Sequence, residues 1–143
     1  MGIFDFVKNA GAKILESASD AAGAITGHVH KEVPDSKNSD VQVEYIDGTV
    51  KVSGTAPSQA DKEKIILAAG NVHGVEKIED NIAVTGDAET ESRMYTVKSG
   101  DTLSGIAKQM YGHANEYMKI FEANKPMLKD PDKIYPGQVL RIP

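Results

Sequence analysis

Cysteine is absent from the 143 residues, which removes disulfides, thiolate metal sites and thiol nucleophiles together and fits a reducing compartment. Positive charge is in short supply as well. Sixteen Lys and Arg stand against twenty-one Asp and Glu, for a formal charge of −5, and the lysines are scattered, so the phosphate-neutralising stripe of a general nucleic-acid binder is missing. No apolar run approaches the roughly 20 residues of a membrane-spanning helix. The opening Met1–Ala10 has no basic start, and Asp5 and Lys8 interrupt its apolar residues, so no signal peptide is read there. Position 6, where N-myristoylation of Gly2 needs Ser or Thr, is Phe6. The expected location is the cytoplasm. The sequence also lacks a G-x-S-x-G elbow, an H-E-x-x-H helix and a P-loop, so no catalytic residue is assigned and no enzyme is expected.

What is present is an ordinary globular composition, 40% hydrophobic and 26% charged. Ile3, Phe4, Phe6, Val7, Ala10, Ile14 and Leu15 fall at helical spacing, which predicts an amphipathic helical segment over 1–22, docked on the chain's own core instead of a membrane. Gly23 to Asp40 clusters Gly, Pro, Ser, Asn and Asp and reads as a loop. Val41, Val43 and Tyr45 alternate with polar residues, Asp47-Gly48 is a two-residue turn signal, and Val50 and Val52 alternate again. That is a β-hairpin. Ser58 and Asp61 stand at capping spacing before Ile65, Ala68, Ala69 and Val72, a helix ending near Gly70 to Gly74. Val75, Ile78, Ile82 and Val84 return to strand chemistry, which makes 23–86 a ββαβ unit with its helix on one sheet face.

Residues 87–93 read as a polar linker. From 94 to 143 the pattern is βααβ: Tyr95–Val97, a helix begun at Asp101 or Thr102 and stopped at Gly112, a second helix with Tyr117, Ile120 and Phe121, then Ile134 to Ile142 around a Pro136-Gly137 turn. The expected fold class is α+β, in two small modules. His28 and His30 read as a loop pair without ligand companions, His73 and His113 as isolated surface residues, and Asp5, Glu76, Glu79 and Asp80 as a solvated charged face. Asp130 and Asp132 lack the pattern of an EF-hand loop.

The stretch Tyr95-Thr96-Val97-Lys98-Ser99-Gly100-Asp101-Thr102-Leu103, with Ile106-Ala107, Tyr111-Gly112, Asn124 and Ile134–Leu140, resembles a LysM domain. Val41 to Val84, with Gly54, Gly74-Val75 and Asn81, resembles a BON domain, although the stretch where BON domains usually carry a first helix holds Gly27 and Pro34 and reads as a poor helix. Together with the opening eleven residues, the whole chain resembles bacterial cytoplasmic potassium-binding proteins that join these two domains.

The resemblance implies a potassium ion as the bound group. A monovalent cation of low charge density suits neutral carbonyl oxygens, and helix C-termini and glycine turns offer carbonyls without intrahelical partners. The expected ligands are the main-chain oxygens of Val7, Ala10 and Ala12 in the first segment and of Gly70, Val72 and Val75 after the BON helix. Binding there is expected to order a monomer in which the LysM module responds and presents a surface to a protein partner. Two other readings stay open. LysM domains hold N-acetylglucosamine chains of peptidoglycan or chitin, which would place a glycan groove at Gly100, Asp101, Thr102 and Leu103 facing Asn124, Ile134 and Tyr135. The BON resemblance and apolar N-terminus also allow phospholipid association.

Overall fold

The computed structural model describes residues 2–15, 19–34, 40–86 and 91–143. Its first half is a four-stranded sheet built from β1 (Gly2–Asp5), β2 (Asp40–Ile46), β3 (Thr49–Ala56) and β4 (Lys77–Val84), in the order β1-β4-β3-β2. Asp47 and Gly48 both take positive φ, 48° and 84°, the conformation whose twist suits a two-residue hairpin. They set the β2–β3 register with Ile46 opposite Thr49. Helix α2 (Gln59–Gly70) then carries the chain across the sheet, so β4 runs parallel to β3. Ser58 caps α2, its hydroxyl accepting the Asp61 N–H at 3.1 Å and donating to the Asp61 carboxylate at 2.9 Å.

Two expectations for the first forty residues are corrected. The segment over 1–22 is not an amphipathic helix: Gly2–Asp5 is a strand, antiparallel to β4, with Phe4 opposite Ile78. The same apolar residues that fit helical spacing also alternate, since Phe4 and Phe6 turn inward while Ile3 and Val7 are 66% and 42% exposed. An unpaired β4 edge decides for the strand. Between Gly23 and Asp40, in turn, the expected loop holds a helix, α1 (Ala21–Glu32). Asp20 caps it by accepting the Gly23 N–H at 3.1 Å, and Ile25, Val29 and Val33 form a buried stripe four residues apart. Gly27 lies inside the helix on its exposed side, where it weakens but does not break it, and Pro34 follows the helix end. The BON-like half is therefore β-α-β-β-α-β. The loop expectation at Asp35 to Ser39 and the linker expectation at 87–90 lie outside the described residues.

The second half pairs β5 (Arg93–Thr96) with β6 (Val139–Ile142) antiparallel. Helices α3 (Leu103–Tyr111) and α4 (Tyr117–Ala123) lie between them in sequence, with one 3-10 turn at Ala114–Glu116. Thr102, not Asp101, caps α3, accepting the Gly105 N–H at 3.0 Å, and Gly112 ends it at φ 86°. Leu103, Ile106, Ala107, Ile120, Phe121, Leu128, Leu140 and Ile142 make this module's own core.

Helix α2 is not a one-faced helix. All residues from Ile65 to Gly70 are buried, which requires cover on both sides. The sheet supplies one side, and α1 and β6 supply the rest, with Val139 of β6 buried in the core of the first half. Charged groups join the two modules there. Arg141 Nε donates to Glu63 Oε1 at 2.8 Å, while the other carboxylate oxygen accepts from Ser92 N at 2.8 Å and Gln59 Nε2 at 2.9 Å. Asp80, expected on a solvated face, is instead 2% exposed and pairs with Lys62 at 3.0 Å. Asp5 and Glu76 are exposed, and Glu79 meets Lys51 at 3.8 Å.

Burial opposes ionisation of Glu63, but hydrogen bonds from Gln59, Ser92 and Arg141 outweigh it and hold its carboxyl below the usual range. A depressed carboxyl contributes stability above its unfolded value, about 4.3, and that contribution is lost as pH falls through the folded value. Urea unfolding of the wild type is therefore expected to weaken more steeply below about pH 4.5 than that of Glu63→Gln; parallel slopes would refute this assignment. Removing the Asn71 amide, which pairs with both backbone groups of Val139 at 2.8 Å, should cost about 1–3 kcal/mol in Asn71→Ala by the same measurement, because buried partners are left unsatisfied.

Candidate functional site

The two stretches singled out for a carbonyl site meet. Phe6 N donates to Glu76 O at 2.9 Å, Gly74 N to Lys8 O at 2.7 Å, Ala12 N to Asn71 O at 3.1 Å and His73 N to Ala12 O at 2.9 Å, and Ala12 and Val72 form an isolated parallel bridge. The first stretch is a strand and a turn, closed by Ala10 N on Val7 O at 3.1 Å, so only α2 contributes a helix C-terminus. Gly11 sits at φ 101°, and a Cβ there would lie 2.5 Å from the carbonyl carbon and oxygen of Asn71. That approach is open to glycine alone. Gly70 is packed under the Phe6 ring, and Phe6 is itself buried.

The 70–76 loop is pinned from the sheet side too. Tyr45 Oη donates to Gly74 O at 3.0 Å, and Gly48 O accepts from Glu76 N at 2.8 Å. The carbonyls of Val7, Ala12 and Val72 each accept one N–H, from Ala10, His73 and Val75, and each keeps a second lone pair. Among the described residues, those of Ala10, Gly70 and Val75 accept no turn or loop backbone N–H. Also among the described residues, no three His, Asp or Glu side chains gather at metal-binding distance.

Asn71 joins this region to the second module. Its main-chain oxygen takes the Ala12 N–H, while its side chain clamps Val139 in β6. Gly137, at φ 89°, presses on the same segment, since a Cβ there would meet Ala10 Cβ at 2.6 Å and Val7 Cβ at 3.2 Å.

Several of the residues expected to line a glycan groove have structural partners. Asn124 is 1% exposed, donates to Ile120 O and Arg141 O and accepts from Arg141 N. Asp101 accepts from Tyr95 Oη at 2.6 Å and Lys98 N at 2.9 Å. The first of these bonds holds its carboxyl low and, with burial, pushes the Tyr95 phenol up to about 12. Thr102 caps α3, Leu103 is buried in the core, Gly100 is exposed and Ile134 is half-buried. Tyr135 turns toward α1, where it borders a cleft with His28 and Glu32. His28 and His30 thus lie on a helix and not in a loop; His73, expected at the surface, is half-buried, and His113 is exposed.

Residues 17–86 match the BON domain and residues 95–143 the LysM domain, both non-catalytic binding modules. The chain is 51% identical over 150 residues to the protein named Potassium binding protein Kbp of Escherichia coli O6:H1 (strain CFT073), covering all of this chain and 99% of that one. An uncharacterized protein of Deinococcus radiodurans is 31% identical over 146 residues, 95% of this chain and 56% of its own length. The uncharacterized protein YqbP of Bacillus subtilis is 35% identical over 65 residues, 39% of this chain and 30% of its own. With a BON domain, a LysM domain and that full-length identity, the chain belongs to the family of the Escherichia coli Kbp protein.

Proposed function

We propose that this chain is a monomeric potassium-binding protein of the cytoplasm, holding the ion with the main-chain oxygens of Val7, Ala10, Ala12, Gly70, Val72 and Val75. The family supports the ion, since its Escherichia coli member is named for binding potassium. The observation that carries the placement is the close approach of Gly11 to Asn71, bridged by Ala12 and Val72. It brings carbonyls from two distant stretches side by side, at a helix C-terminus where the macrodipole is negative. Neutral oxygens suit a large monovalent ion, whereas carboxylate cages favour small or divalent ones.

Function follows by linkage. An ion that binds only when the two stretches meet stabilises the assembled protein by about 2.7 kcal/mol at a hundredfold excess over its dissociation constant. Asn71 is the route outward, because any shift of the 70–75 loop moves the amide that holds β6. The LysM module is then the responding part, its orientation on α2 reporting the ion level to a partner.

Thermal melting in matched KCl and NaCl is the test. KCl is expected to raise the midpoint above NaCl, and Gly11→Ala, whose Cβ would overlap the Asn71 carbonyl and push the two stretches apart, should weaken potassium binding at least about tenfold in calorimetry. Equal midpoints in the two salts, or stabilisation by chitin fragments alone, would overturn the reading.

A further inference from the structure

A cleft of about 260 Å³ opens between α1 and the LysM loop before β6, with Ala12 and Asn71 at its floor. Its walls bring together Glu32 and His28, one turn apart on α1, and Tyr135 and Met127 from the LysM side. Among the described residues, neither the His28 imidazole nor the Tyr135 phenol makes a hydrogen bond, although both side chains are half-buried. Polar groups held that way in a cleft are where ligands are found.

The charge of the cleft has one sign. Glu32 is the carboxylate in the wall, its side chain 13% exposed, and no Lys or Arg lines it. Burial, opposed by Glu32, holds the His28 pKa below its ordinary 6.5, so at neutral pH the ring offers an acceptor nitrogen. Lys31 and Lys129 act on His28 in the same direction as burial. Burial and the nearby Glu32 push the Tyr135 phenol up to about 12, so it stays neutral with an oxygen to accept. At the mouth, the Lys129 ammonium lies 4.0 Å from the Glu32 carboxylate on a side chain that is 71% exposed. The chain's own alkylammonium thus reaches for this carboxylate from outside.

We propose that the cleft is a second binding site, for a primary alkylammonium cation that enters in place of the Lys129 side chain. Its three N–H donors meet the Glu32 carboxylate, the His28 nitrogen and the Tyr135 oxygen, and its methylenes lie on Met127 and Ala12. The polar groups involved are side chains of α1 and the LysM module, while the cleft borders the proposed potassium site at Ala12, so the test runs in sodium buffer to keep the two readings distinguishable.

Calorimetry on the full chain at low ionic strength would use 1,4-diaminobutane, with tetramethylammonium as a cation lacking N–H and the peptide Gly-Lys-Gly as a protein-borne amine. Saturable diamine binding is expected, with no tetramethylammonium binding. Glu32→Gln should weaken it roughly tenfold, Tyr135→Phe severalfold. Lys129→Ala should tighten it by removing the internal competitor, whereas Lys133→Ala, an equal change in net charge, should leave it unaltered. The stronger of the diamine and the peptide identifies the source of the amine. No saturable binding by about 10 mM, an affinity unchanged in Glu32→Gln, or equal gains in both lysine variants would overturn the proposal.

Discussion

Two asparagine side chains do for β6 what a neighbouring strand would. One edge of that strand pairs with β5, and on the other the backbone groups of Val139 and Arg141 point outward. Asn71, from the end of α2, takes both groups of Val139, and Asn124, from the end of α4, takes both groups of Arg141. A side-chain amide presents an N–H donor beside a carbonyl acceptor as a peptide group does, so each asparagine closes two orphans at once, and Asn124 has its second N–H for Ile120 O. Because one amide comes from each module, β6 belongs to both. The position of the LysM module on the BON module is set by a side-chain amide on main-chain groups, a contact short in range and strict in register.

Around this seam the charges are arranged so that none is left alone. Glu63 is nearly inaccessible, yet its two oxygens accept from Arg141, Ser92 and Gln59. The Arg141 guanidinium gives two of its other donors to Ala123 O and Ser92 Oγ. A buried pair of this kind adds modestly to stability when complete and costs about 3–5 kcal/mol when half is removed. It also discriminates between docked arrangements, since a shifted interface strands a charge. Lys62 and Asp80 repeat the device between α2 and the sheet, so α2 is registered on both sides.

Most of the LysM half was legible, because its signals are local: an apolar stripe after Asp101-Thr102, Gly112 ending it, Pro136-Gly137 before a short strand. The strand edges were less so, since β5 begins at Arg93 and not Tyr95, and β6 is Val139–Ile142 where a strand from Ile134 was expected. The hairpin, α2 and β4 were legible for the same reason. The first forty residues were not. Helical and alternating periods coincide over Ile3 to Val7, and only the free edge of β4, about seventy-five positions away in sequence, chooses between them. In α1 the stripe of Ile25, Val29 and Val33 and the Asp20 cap were there to be read, but Gly27 and Pro34 carried more weight than their exposed positions justify. Of the candidate carbonyl site, glycine placement pointed to both stretches; that one is a turn and not a helix end depends on the strand before it. The inward turn of Asp80 and the two-sided burial of α2 follow from docking of the modules, which no local pattern encodes.

Strand β1 has a consequence for how the molecule opens. Every other strand of the four-stranded sheet is joined to its neighbour through a hairpin or a single crossover, whereas β1 reaches its partner across most of the BON module. Closing so long a loop gains little until the remaining sheet exists to receive it. The first dozen residues therefore form their own cooperative unit, the last to join and the first to detach, and amide protons from Gly2 to Ala12 would trade with solvent deuterium while the interior of the sheet is still protected.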